Sequence, residues 1–493
     1  MQTPPFTADA LVVGSGPNGL AAAVTLARAG LRVRVYEQAD HIGGGAATTE
    51  LTLPGFQHDV GSAVHPMAVA SEFFRRFKLT ERIGLVVPEL SYAHPLPGGG
   101  AALAWKDLDR TADGLGHDGP AWRRLFGPLV RHAAEVAEFT GDQLLRVPRH
   151  PLTLARFGLG TVEQGTALWN LRFQGVAAPA LLTGVIAHSI RPLPSLATAG
   201  AGLTLAVHAH AGGWPVPVGG SGAIVRALAD DLEAHGGEIM LNTRIESLAE
   251  LPPAPIVMLD LTPKALLRLA GGTLPARYAR RLAAFRYGNG AAKVDYALSE
   301  PVPFTNPALR QAATLHLGGT RADLVRSEGA VARGHHAENP YVLVSQPSLY
   351  DRSRAPAGKH TLWAYTHVPR GSTRDQTEAV TAQIERLAPG FRDTILASTS
   401  STAQQLGVAN PNLVGGDLAA GEITLGQLLR RPVLSTQPWR TPLPGVYLCS
   451  SSTPPGPGVH GLPGYRAALS ALAHEYGIHE PPDLSPTRPP HLD

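Results

Sequence analysis

Gly14, Gly16 and Gly19 stand as G-x-G-x-x-G inside ALVVGSGPNGLAAAVTLARAGLRVRVYEQ, residues 10–38. This spacing suits a chain that must bring its backbone against a pyrophosphate. Gly14 permits a tight turn, Gly16 lets the main chain approach the phosphates, and Gly19 lets a helix pack closely on a strand. Pro17 and Asn18 open that helix, whose N-terminal N–H groups favour an anion. Glu37, followed by Gln38, lies about 20 residues on, where a carboxylate can bind a ribose hydroxyl pair. An acid there argues against a 2′-phosphate and hence against NADP.

These residues need particular elements to hold them. ALVV reads as a short, fully buried strand, Leu20 to Arg28 as a helix with Gly30 just past its end, and LRVRVYE as a second strand. Six residues after Glu37 comes Gly43-Gly44-Gly45, then Ala46. A second glycine cluster brings backbone to another stretch of an extended cofactor, and FAD is long enough to need it. An ordinary NAD dehydrogenase would continue into another βα unit. Here TTELTLPGFQHDVGSAVHPMA reads as strands and loops.

Composition narrows the class. The 493 residues carry 42 Lys plus Arg against 39 Asp plus Glu, a net charge of +3, which is too even to point to nucleic acid. Hydrophobic residues make 44% and charged residues 16%, as in a globular chain of two or three domains. One cysteine, Cys449, excludes an internal disulfide or a dithiol pair. No metal-ligand spacing stands out, and no internal repeat. MQTPPFTADA has no basic stretch leading into an apolar run, so a cytoplasmic location is expected. Residues 192–225 contain no Asp, Glu, Lys or Arg. Their glycines, His208 and His210 favour a buried wall over a spanning helix, with a peripheral membrane contact as the further expectation.

The expected fold class is α/β: a Rossmann-type FAD-binding domain with an interleaved α+β substrate domain, which holds a mixed or antiparallel sheet and a helical subdomain. The nucleotide-binding domain is expected to be discontinuous, from 1–70, 205–284 and 430–480. Residues 71–204 read as a mainly helical cap. Residues 285–429 read as an antiparallel-sheet substrate domain, with strands at AAKVDYAL, ATLHLGG, YVLVSQPSLY and HTLWAYTHV. A Pro-rich tail, 481–493, is expected to be disordered or draped on the surface. In the middle, Gly219 to Gly222 opens an amphipathic helix, GEIMLNTRIESL reads as a strand or hairpin, and APIVMLDLTP as a buried strand. Ile245 is a candidate for lining the adenine, or is an ordinary core residue.

GSGPNGLAAAVTLARAG…VYEQADHIGGGAATTE, PVGGSGAIVRAL…GGEI…TRI and PGVYLCSSSTPPGPGVHGLPGYRAA together resemble the phytoene desaturase-like flavoproteins, which include carotenoid desaturases and isomerases within the amine-oxidase-like superfamily. The resemblance spans both ends and the middle. It implies that the C-terminal stretch folds back onto the first domain. Ser450, Ser451 and Ser452 would then sit near the ribityl and pyrophosphate. Gly458, Val459, His460 and Gly461 would present N–H groups to the pyrimidine carbonyl of the flavin. Lys293, in GNGAAKVDYAL, stands where amine-oxidase-like enzymes carry a lysine that reaches flavin N5 through a water. It is one of five lysines in the chain. Relatives of the desaturase type show a GAGTHPGAGIPG-like run where this chain has SSSTPPGPGVHG. His460 therefore replaces a proline, and the flavin site is implied more firmly than a carotenoid substrate. His65 is a further pocket candidate and His316 a lesser one. For each of the three, and for Lys293, a purely structural role stays open.

The resemblance implies an FAD-dependent oxidoreductase that desaturates an apolar organic substrate by hydride transfer to flavin N5, with O2 or a quinone as acceptor. Three alternatives stay open: a flavin-dependent double-bond isomerase, a flavin-binding scaffold without turnover, and a plain NAD dehydrogenase. No second G-x-G-x-x-G with a following acid is evident.

Overall fold

The structure is a computed structural model that describes residues 8–486. The ends of the chain, including most of the expected Pro-rich tail and the first seven residues, lie outside the described residues. What is described of the tail is draped, with Leu484 buried and its carbonyl accepting from Arg82 Nη2 at 3.1 Å.

Two sheets organise the molecule. The first is parallel and five-stranded, in the order Val446–Leu448, Ile256–Leu259, Ala10–Val13, Val33–Tyr36, Glu238–Met240. Its strands come from widely separated stretches of sequence, and near-continuous apolar runs such as ALVV and IVML are what burial on both faces demands. Helices Pro17–Arg28, Gly222–Ala234 and Leu462–Glu475 share one apolar core with it. Ile224, Val225, Leu228 and Leu232 form an i, i+1, i+4, i+8 stripe that is fully buried. Each such side chain contributes roughly 1.5–3 kcal/mol. GEIMLNTRIESL is a strand only over Glu238–Met240, because Asn242 takes a left-handed φ of +52° and turns the chain.

The second sheet has seven strands, in the order Ile395–Ser401, Gly290–Leu298, His360–Val368, Val342–Ser345, Thr314–Leu317, Leu90–Pro95, Ala101–Trp105. The last two strands lie in the stretch expected to be mainly helical. Leu90–Pro95 is buried at every position, so no alternation marks it in the sequence. Helix Leu196–Ala211 crosses the boundary expected at 204/205 and packs on Pro151–Gln164 and Ala177–Ile186. Eleven of its residues are buried, so this helix is largely an inner wall. Among the described residues, no helix is long and apolar enough to cross a membrane.

Gly464 sits where the first and last helices of this core meet. A Cβ there would lie 1.8 Å from the Asn18 carbonyl oxygen. Gly464→Ala is therefore expected to lower the denaturant midpoint, at a cost of about 1–3 kcal/mol or more, with the two helices forced apart at the glycine loop.

Candidate functional site

The strand Ala10–Val13 delivers the glycine loop, and each glycine answers a distinct steric demand. Gly14 has φ +102°. A Cβ on Gly16 would stand 2.6 Å from Asp260 Oδ2, and one on Gly19 would stand 2.1 Å from the Gly14 carbonyl oxygen. Pro17 occupies the first turn of the helix, where its missing N–H is harmless. The second glycine cluster packs on this loop. Gly43 has φ +109°, and its N–H donates to the Ser15 carbonyl at 3.0 Å. The Gly44–Ala46 turn lies between that loop and Gly61, whose Cβ would meet Gly45 O at 2.3 Å.

From the other end of the chain, strand Val446–Leu448 pairs with Ile256–Leu259 and releases its turn beside the same loop. Asn18 Nδ2 donates to Ser451 Oγ at 3.2 Å. Arg431, fully buried, donates through Nε and Nη2 to the Ser451 carbonyl at 2.9 and 2.7 Å. The two glycine-rich turns thus wall one cavity of 970 Å³. That is near the top of the range of about 300–1,000 Å³ for ligand sites.

Of the residues singled out in the sequence, Gly14, Gly16, Pro17, Asn18, Glu37, Gln38, Gly44, Gly45, Ile245, Ser451, Gly458, Val459, His460 and His65 line this cavity. Others do not. Gly19, Gly43 and Ala46 pack behind the wall. Ser452 turns its hydroxyl to the Ala420 carbonyl at 2.6 Å. Gly461, at φ +67°, starts the last helix and abuts the Phe73 ring. Lys293 is also behind the wall, because Asp295, two residues on and on the same strand face, takes its ammonium. Its cross-strand neighbour Tyr365 lines the cavity instead.

The chemistry of the candidates follows from their partners. Glu37 Oε2 accepts from the Ser15 N–H at 2.8 Å and the Ser15 hydroxyl at 2.7 Å, and Oε1 accepts from Ala39 N–H at 2.9 Å. The carboxylate therefore also holds the loop in shape. His460 Nδ1 accepts from the Leu462 N–H at 3.2 Å, which assigns the proton to Nε2, facing the Pro457 carbonyl at 3.3 Å. Burial pulls its pKa down to about 4. Both ring nitrogens bond within the turn, which is the structural role left open for this residue. His65 Nε2 meets Ser221 Oγ at 2.7 Å, and that hydroxyl donates to the Ser62 carbonyl. Burial lowers this histidine to about 4 as well.

Behind His65 lies a buried ionic cluster that the sequence did not reveal. Asp59 accepts from Ser221 N–H, from the Thr48 hydroxyl and from Arg354 Nη2, each at 2.8 Å. His58 Nδ1 lies 3.6 Å from Asp295, next to Lys293. Burial lowers the Lys293 pKa and raises that of Asp295 to about 6. On the opposite wall, His188 lines the cavity and its Nε2 meets His316 Nε2 at 2.8 Å. His316 thus backs the wall without forming it. Asp260, also missed, ends strand Ile256–Leu259 and accepts from the Gly19 N–H at 3.0 Å.

The donor set fits a dinucleotide. At Gly14 the φ of +102° and at Gly16 the Asp260 carboxylate, 2.6 Å away, disfavour a Cβ in the cradle. The buried Oδ1 of Asn18, a residue of the same wall, has no partner within the protein. Residues 12–77 match the family model described as an NAD(P)-binding Rossmann-like domain. The chain is 23% identical to rat pyridine nucleotide-disulfide oxidoreductase domain-containing protein 2, over 93% of this chain and 92% of that protein. It is 23% identical to the neurosporene-forming phytoene desaturase of Rhodobacter capsulatus, over 92% of each. Wild-type putrescine oxidase bound to putrescine superposes with a TM-score of 0.59 at 18% identity, over 95% of this chain and all of the other. The fold is the amine-oxidase-like one. The likeness to phytoene desaturase extends along nearly the whole chain.

Removing the Arg354 guanidinium takes from Asp59 the cation that directly donates to it. Arg354→Met is expected to destabilise the protein by roughly 3–5 kcal/mol, the usual effect of stranding a buried charge. Urea unfolding measures this directly.

Proposed function

We propose that this protein is an FAD-dependent oxidoreductase that acts on an apolar organic substrate. The observation that carries the reading is one cavity walled by both glycine-rich turns. Its 970 Å³ also takes in the apolar side chains of Leu154, Phe157, Leu343, Trp363 and Tyr365. FAD, when bound, supplies a centre that accepts a hydride from a substrate C–H bond.

The protein's own part is binding, orientation and exclusion of water. Glu37 and the loop from Gly14 to Asn18 hold the nucleotide end. The turn Gly458–His460, rigid because His460 bonds to both of its sides, holds the other. Apolar walls desolvate the substrate and fix its carbon skeleton. His65 and His188 stay neutral at pH 7, since burial lowers His188 to about 3 and His65 to about 4. They can orient a substrate by hydrogen bonds without adding charge.

The purified protein is expected to show flavin absorption bands and to release FAD on denaturation. Anaerobic bleaching of those bands then screens substrates, with amines and polyenes as the first two classes. A protein that is colourless and takes up no added FAD would overturn the reading. Bleaching by no substrate, with rearranged double bonds in a polyene, would assign isomerisation instead.

Asp260 adds a pH dependence. Burial is the main reason its pKa is raised to about 7, aided by the Glu37 charge and opposed by the Gly19 N–H. The folded value exceeds the ordinary 3.8. Its stabilising share is therefore full below about pH 4 and is lost as pH rises through about 7. Above that pH a carboxylate would face the pyrophosphate at the helix N-terminus. FAD affinity is expected to fall between about pH 6 and 8, and Asp260→Asn to flatten the fall. Fluorescence titration with FAD across that range measures it.

A further inference from the structure

His188 and His316 meet ring nitrogen to ring nitrogen. Nε2 of one lies 2.8 Å from Nε2 of the other. A contact this short needs an N–H between the two nitrogens, so one ring donates and the other accepts. Both rings are neutral, because burial lowers His188 to about 3 and holds His316 well below the ordinary 6.5. What the cavity meets therefore depends on which ring carries the shared proton.

The second nitrogen of each ring settles it. His316 is fully buried, with its ring among those of Tyr92, Trp214 and Tyr341. Its Nδ1 is buried and has no partner. A proton there would be a stranded donor, whereas a bare lone pair is the less costly group to leave unpaired. His316 therefore holds its proton on Nε2 and donates it to His188 Nε2. His188 must then carry its own proton on Nδ1. That atom makes no hydrogen bond within the described residues and, unlike Nδ1 of His316, is not sealed off. The space that His188 lines is the cavity.

The fold fixes this donor in place. His316, Leu343 and Tyr365 stand directly opposite one another across three neighbouring strands, so their side chains share one face of the seven-stranded sheet. Leu343 and Tyr365 line the cavity, and the His188 ring meets the Trp214 ring edge-on at 5.7 Å. His188 itself sits in the turn Ala187–Ser189. Ile190, which follows, is β-branched and yet has φ +49°. Such a conformation persists only where the surroundings impose it. The other two buried cavity histidines offer no proton. His460 keeps its N–H for the Pro457 carbonyl. The Ser221 hydroxyl directs its proton to the Ser62 carbonyl, so His65 Nε2 donates to that hydroxyl oxygen and its Nδ1 is left as a lone pair.

We infer that His188 Nδ1–H is a specificity-determining donor, aligned by His316 as a positioning residue, and that the substrate is an apolar compound with a neutral oxygen acceptor, a carbonyl or a hydroxyl, which this N–H binds. The substrate class rests on the proposed function, whereas the donor stands on the paired rings. A plain hydrocarbon forgoes the bond, and an ammonium group has no lone pair to accept it.

Nitrogen NMR of protein isotopically labelled at histidine reads the tautomer without any ligand, the His188 signals being those lost in His188→Phe. A protonated Nδ1 and a bare Nε2 are expected. Binding is read by equilibrium dialysis of the purified protein with 2-acetylnaphthalene, 1-(2-naphthyl)ethanol and 2-ethylnaphthalene, which share one apolar body. In wild type, relative to His188→Phe, the ketone or the alcohol is expected to gain roughly two- to tenfold over the hydrocarbon, the range of one hydrogen bond. The larger gain tells carbonyl from hydroxyl. His316→Gln, whose amide can still donate to His188 Nε2, should keep the gain, and His316→Phe should lose it. A proton on His188 Nε2 overturns the inference, as does the absence of a gain for both oxygen compounds. FAD release on denaturation of the same samples reports on the proposed function alone.

Discussion

The helix contact on which the site depends joins the two ends of the chain. Gly464 in the last helix rests on the Asn18 carbonyl in the first, with no space for a methyl group between them. The two helices pack extensively on one another around this crossing, so neither can shift without the other. The turn that precedes the last helix, Gly458 to Gly461, is thereby set at a fixed height over the loop Gly14 to Asn18. Strand Val446–Leu448 reinforces the same geometry from below through its pairing with Ile256–Leu259. One cavity exists because these two contacts agree, and no local preference of either turn would create it.

The second constraint is ionic. Asp59 lies in the hairpin strand Gln57–Asp59, next to the parallel-sheet domain, while Arg354 and Lys293 come from the substrate domain. The pairing of Asp59 with Arg354, at 2.8 Å with both side chains essentially fully buried, fastens the two halves across the back of the cavity. Ion pairs of this kind add little net stability over apolar packing of the same shape, but they punish misregistry severely. Their value here is positional. Ser221 takes its place from Asp59, and His65 takes its orientation from Ser221.

The glycine loops are legible in the sequence because each glycine answers a backbone constraint set by near neighbours. Spacing alone identifies Gly14, Gly16 and Gly19, and strands such as His360–Val368 announce themselves through β-branched and aromatic residues. The fold class follows from these and from the two distant turns. The wall chemistry is not legible in the same way. Asp59 and Arg354 are 295 positions apart, His188 and His316 are 128 apart, and no periodicity links such partners. Lys293 stands out as a lysine in an apolar strand. Its partner Asp295 is only two residues away, yet it takes the strand's alternation, with both side chains on one face, to make the pair. His460 reads in the sequence as a titratable group newly placed near the turn. Its two hydrogen bonds to the backbone show that the ring braces the turn from within.

Charge placement then decides what the cavity can hold. The wall drawn from Leu154, Phe157, Thr161, Leu205, Leu343, Trp363 and Tyr365 carries no ionised group, and burial keeps His188 and His65 neutral. Lys293 presents no net charge to this wall, because Asp295 neutralises it one layer back. Glu37, Asp260 and Arg268 face the cavity at the nucleotide end, and Asp142, Asp417 and Glu422 face it elsewhere. A charged substrate body placed against Leu154, Phe157, Trp363 and Tyr365 would be desolvated by these side chains, at a penalty that van der Waals packing does not offset. An apolar body loses nothing there. The same asymmetry acts along the whole length of the cavity, so a molecule with one polar and one apolar half has a single favoured orientation. On the proposed reading, the apolar side chains then hold the substrate body, while the glycine loop and Glu37 hold the dinucleotide.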